Sequence, residues 1–162
     1  TRRAQGSLIA TPKAAGVTLI VEDEKWRAVR GLQARLKQAA VLALSGTRRR
    51  GALTILLGDD ARLKNLNREF RGKNNPTNVL SFPSQEGGYL GDIAIAHGVA
   101  SREAKAAGKT LIDHATHLAV HGVLHLAGYD HERPRDAKIM EPLETRILAR
   151  LGIADPYLVD AP

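Results

Sequence analysis

Five of the six histidines fall between positions 114 and 131, and the densest stretch reads His121-Gly122-Val123-Leu124-His125-Leu126-Ala127-Gly128-Tyr129-Asp130-His131. A spacing of four residues is about one helical turn, so His121 and His125 point the same way, close enough to share an ion. Gly128 is placed to end that helix in a left-handed turn, and the reversal would return His131 to the same point in space. Three neutral imidazoles with an open fourth position describe a catalytic metal site rather than a closed structural one. One Zn2+ ion is the expected cofactor; nickel and copper favour the same ligands.

The interval H-x-x-x-H-x-x-G-x-x-H is the ligand frame of the metzincin peptidases. Such a peptidase needs Glu directly after the first His as general base, and this chain has Gly122 there. General-base catalysis contributes roughly 10²–10⁴ in rate. The metal frame therefore survives while the peptidase base is missing, unless Asp130 replaces it. His114 and His117 extend the stripe: at 100° per residue, positions 114, 117, 121 and 125 span an arc of roughly 80°. Apolar residues cover the remaining faces, so the stripe is expected to line the floor of a cleft, with His114 and His117 binding substrate or tuning the ligands. Asp92 is a turn former or a site residue. His97 stands apart with no assigned role, and the helical spacing of Met140 favours core packing.

Cysteine is absent, which excludes disulfides, thiolate zinc, iron–sulfur clusters and a cysteine nucleophile. The formal charge is +7, with a sequence pI of about 10.1. That balance favours a polyanionic partner. Aromatics make up only 4%, which argues against a base-stacking platform. No apolar run reaches the ~18 residues of a membrane span, and the first residues lack the apolar core of a secretory signal, so a cytoplasmic protein without membrane association is expected.

The elements that must position these residues follow from periodicity and punctuation. Residues 1–16 read as an N-terminal arm and 17–162 as one domain. Val17–Val21 and Leu53–Leu57 are strands. A single helix between them starts at an Asp23 cap, carries Trp26, Val29, Leu32, Leu36, Ala40 and Ala43 on one face, and closes at Gly46. Arg48-Arg49-Arg50 is a basic loop, either simply solvated or adding non-specific affinity for a nucleic-acid backbone. Asp59 or Asp60 caps a helix through Phe70, and Val79–Pro83 and Gly91–Ala96 are strands that pair antiparallel. Helices follow from Gly98, from the capping-box-like Thr110-Leu111-Ile112-Asp113, and from Pro134 or Asp136, the last kinked or restarted at Pro142. A mixed sheet covered by helices results, an α+β class.

The histidine segment resembles the signature of the YbeY family, bacterial endoribonucleases of ribosomal-RNA maturation. Phe70-Arg71-Gly72-Lys73-Asn74-Asn75-Pro76-Thr77-Asn78-Val79-Leu80-Ser81-Phe82-Pro83 resembles that family's other hallmark. Gly91-Asp92-Ile93 and His114-x-x-His117-Leu118 also fit, and the likeness spans roughly Val17 to Tyr157. The resemblance implies a zincin-like α+β fold with a small, about four-stranded mixed sheet. It implies metal ligation by His121, His125 and His131, a functional Arg71, and metal-dependent cleavage of single-stranded RNA, with ribosomal RNA and ribosomal particles as partners. Arg71 offers an always-charged planar fork suited to phosphate. With Lys73 and the amides of Asn74, Asn75 and Asn78 it would form an anion cradle facing the metal. Arg71 and His121 are thus the expected catalytic residues, and Arg71, Lys73, His114 and His117 the expected RNA contacts. Water or the ribose 2′-hydroxyl could act as nucleophile. A divergent metalloprotease and a non-catalytic ribosome-assembly factor with a structural metal are the competing readings.

Overall fold

A computed structural model describes residues 16–129 and 134–157. Four strands, β1 (Val17–Val21), β2 (Ala52–Gly58), β3 (Val79–Pro83) and β4 (Tyr89–Ala96), form one sheet in the order β1-β2-β4-β3. β1 and β4 both run parallel to β2, and β3 pairs antiparallel with β4 at the edge. The helices are α1 (Glu24–Arg27), α2 (Leu32–Ser45), α3 (Asp60–Arg71), α4 (His97–Ala106), α5 (Leu111–Leu126) and α6 (Pro134–Arg150). The mixed α+β class read from the sequence is therefore present. Among the described residues no helix is long and apolar enough to cross a membrane.

Strand alternation divides the interior into two layers, because successive side chains point to opposite faces. Leu53, Ile55 and Leu57 of β2 and Ile93 and Ile95 of β4 face α2, α5 and α6. Leu56, Ala94 and Ala96 face α3, together with Leu80 and Phe82 of β3. Burying a leucine or isoleucine side chain contributes about 1.5–3 kcal/mol. The larger layer, with Trp26, Met140 and most of α5, is the main source of stability. Met140 is thus a core residue. His97 also has a structural place, its ring edge-on to Trp26 with centroids 4.9 Å apart.

Two expectations about helices are corrected. The single helix after β1 is two, separated at Gly31, whose φ of 80° is left-handed and cannot continue a right-handed helix. Periodicity missed the break because the intervening turn keeps Trp26 and Leu32 on the buried side. The last helix does not restart at Pro142 but runs through it. Pro142 is exposed, so water can take the carbonyl that loses its partner, while buried Met140, Leu143 and Leu148 hold the helix on the core. The caps at Asp59 and Thr110 are present, accepting from Arg62 N and Asp113 N.

α5 lies across β3 and β4, and Gly122 sets how closely it approaches. A Cβ at Gly122 would stand 2.9 Å from Ile93 Cγ2 and 3.1 Å from both Cδ1 and Cγ1. Gly122→Ala gains helix propensity of about 1 kcal/mol but overpacks the core at a cost of roughly 1–3 kcal/mol. The expected outcome is a net loss of stability, read as a lower urea midpoint with an unchanged slope.

Candidate functional site

The histidine stripe of α5 meets a carboxylate on α6. Glu144 is wholly buried, on the inward face of α6 between Met140 and Leu148. Its Oε2 lies 3.2 Å from His117 Nε2 and 3.1 Å from His121 Nδ1. Its Oε1 accepts a 2.6 Å hydrogen bond from the Tyr157 hydroxyl. Burial alone would lift the carboxyl pKa, but the hydrogen bonds from His117, His121 and Tyr157 outweigh it and hold the group at about 2. Glu144 is therefore ionised at neutral pH. Burial and the facing carboxylate push the Tyr157 hydroxyl above its ordinary value, so it remains a donor.

This arrangement orients His121. With Nδ1 held by Glu144, the ring turns Nε2 away from α6. That atom lies 3.1 Å from His125 Nε2, with the two ring centroids 4.6 Å apart. Two imidazole nitrogens aimed at one point form a donor set suited to a divalent transition metal. Among the described residues no three His, Asp or Glu side chains are placed to hold one metal ion together, and His131 and Asp130 lie outside those residues.

His121 and His125 open into a cleft of about 300 Å³, whose other wall holds Arg71, Lys73, Asn75 and Ser81. Arg71 closes α3, where a basic side chain complements the helix dipole, and Gly72 follows in a left-handed cap. Its guanidinium donates to Ser81 O at 2.9 Å and stands 5.8 Å from the Phe82 ring centroid. Ser81 Oγ in turn donates to Gly122 O at 3.4 Å, tying β3 to α5 behind the cleft. The cleft thus joins Arg71 and Lys73 to His121 and His125, four residues singled out from the sequence.

His114 and His117 do not line this cleft. His114 Nε2 pairs with Glu103 Oε1 at 2.8 Å, and His117 faces Glu144. Their contacts tie α5 to α4 and α6. The asparagine cradle is also narrower than expected. Asn78 donates its amide to Glu103 at 3.0 Å, which leaves Asn75 in the cleft wall, its carbonyl held by Asn67 at 3.1 Å. Asp92 is no turn former: it sits buried inside β4, hydrogen-bonded by the Tyr89 hydroxyl. Gly122 faces Ile93 rather than the cleft, so a side chain there would press on Ile93, and glycine itself supplies no peptidase base.

Sequence reasoning missed Glu144, Tyr157 and Glu103. One signal was available for Glu144: it occupies the apolar face of α6 defined by Met140, Leu143, Ile147 and Leu151, where an unpartnered carboxylate would be costly. Removing that carboxylate strands three donors. Glu144→Ala is expected to lower stability by about 3–5 kcal/mol in chemical denaturation.

Comparison with known proteins shows the family. The family model for endoribonuclease YbeY matches residues 21–152. An endoribonuclease YbeY of Maricaulis maris is 49% identical over 146 residues, covering 87% of this chain and 91% of the relative. One from Ruegeria pomeroyi is 45% identical over 161 residues, covering 88% and 98%. The solution structure of TM1509 from Thermotoga maritima superposes with a TM-score of 0.54 at 22% identity, covering 88% of this chain and 99% of that one, a likeness of fold. The match across most of the sequence, including both of its chemistry-bearing segments, means that this chain belongs to the endoribonuclease YbeY family.

Proposed function

We propose that this protein is a zinc-dependent, single-strand-specific endoribonuclease of the cytoplasm, acting on ribosomal RNA and ribosomal particles in small-subunit RNA maturation and ribosome quality control. The observation that carries this reading is the meeting, in one cleft, of two Nε2 atoms 3.1 Å apart and an anchored guanidinium. Two nitrogens on one tetrahedral zinc at about 2.0–2.1 Å lie roughly 3.3 Å from each other. His121 and His125 fit that requirement, and His131 is the proposed third ligand. That the relatives are endoribonucleases by name supports RNA as substrate, and the net charge of +7 supports a polyanion.

When bound, the ion supplies Lewis-acid stabilisation of charge developing on a phosphoryl group. Glu144 holds the His121 ring by its Nδ1 proton and keeps Nε2 directed at the cleft. Arg71, braced by Ser81 O and Phe82, presents a charged fork already in position, so little reorganisation is needed when charge accumulates on the scissile phosphate. Lys73 adds a second positive charge on the same wall.

Chelation is expected to abolish cleavage of single-stranded RNA, and added zinc to restore it; cleavage that survives full metal removal would overturn the reading. Arg71→Ala is expected to retain fold and metal content while losing about 10²–10³ in kcat. Glu144→Gln keeps the shape but not the charge. It should weaken metal retention about 10–100-fold in a chelator competition, a readout independent of RNA cleavage.

A further inference from the structure

A second groove begins where the histidine helix ends. Its volume is about 340 Å³, and it is walled by Thr47, Arg48 and Arg49 on one side and by Ala127, Gly128 and Tyr129 on the other. His125, which lines the histidine cleft, lies three residues before Gly128, roughly 5 Å along the axis at 1.5 Å per residue. The two depressions are therefore lined by residues within one turn of each other at the end of α5.

Among the described residues the charge of this groove meets no carboxylate. Arg27, Arg35, Arg62 and Arg102 each meet a carboxylate. Among the described residues, Arg48 and Arg49 form no ion pair and are exposed. Local sequence explains the contrast: from Lys25 to Gly58 the chain contains no Asp or Glu. The loop is nonetheless shaped. Thr47 Oγ1 donates to Leu44 O at 2.9 Å and accepts from Arg49 N at 3.1 Å, which fixes the turn that carries both arginines.

We infer that this groove binds the phosphates of the nucleic-acid strand that continues beyond the histidine cleft. The inference rests on the RNA-cleavage reading and extends it: the preferred substrate is a strand long enough to cross from Lys73 and Arg71, over the histidines, to Arg49 and Arg48. Exposed guanidinium groups suit this task, since phosphate contacts position a strand without reading its bases. Among the described residues only Tyr129, half-buried, offers an aromatic ring there, which suits a groove that tracks a backbone more than one that stacks bases.

The test compares Arg48→Gln/Arg49→Gln with Lys37→Gln/Arg150→Gln, a double change of equal charge on the exposed α2–α6 face. Metal-loaded proteins are titrated against short and long oligodeoxyuridylates by fluorescence anisotropy at several salt concentrations. Losing two phosphate contacts on a single strand lowers the slope of log affinity against log salt by about 1.4. The expected result is that drop, with several-fold weaker binding, for the groove variant on the long strand, and little change for the control. Equal slopes for the two variants, or no binding of the long strand by the unaltered protein, would overturn the inference and leave the basic loop to an acidic protein surface. Failure of the unaltered protein to cleave single-stranded RNA would instead sink the function on which the inference rests, so the two failures are told apart.

Discussion

A carboxylate removed from water is stable only where donors surround it, and Glu144 meets three. Two come from successive turns of α5 and the third from Tyr157 beyond α6, so one buried charge binds together three segments distant in sequence. The same contacts decide which nitrogen of His121 carries the proton. Stability and chemistry are here one interaction, because the hydrogen bonds that make the buried charge tolerable also aim Nε2 at the cleft.

The remainder of the fold supplies a rigid floor and an opposing wall. Gly122 lets α5 settle against Ile93, and Ser81 ties the edge strand β3 to the same helix. Arg71 arrives from the other layer, at the end of α3, and is braced by the backbone of β3. The residues facing one another across the cleft are therefore carried on packed helices and a strand. A site that must stabilise charge as it develops benefits from such preorganisation, since no side chain has to be ordered during the reaction.

Gly122 also shows how one position separates related chemistries. A zinc peptidase requires a carboxylate directly after its first ligand, and in this chain that direction is filled by the β4 side chain. The histidine spacing is compatible with either chemistry, but a side chain at position 122 would press on Ile93, and glycine carries no base. Arg48 and Arg49, which have no ion pair among the described residues, fit the same picture of a surface arranged for a polyanion.

Much of this was legible from local pattern. Four strands, the caps at Asp59 and Thr110, the convergence of His121 with His125 and the candidacy of Arg71 follow from alternation, helical spacing and side-chain chemistry, all properties of short segments. The break at Gly31 and the unbroken passage through Pro142 were not, because each depends on which side of a helix faces the core. Tertiary structure alone decided the partners of the histidines: His114 went to Glu103 and His117 to Glu144, residues 11 and 27 positions away. Periodicity says which side of a helix is buried, but not what it is buried against. That choice is made by the packing of whole elements, where every buried charge must find its donors at once.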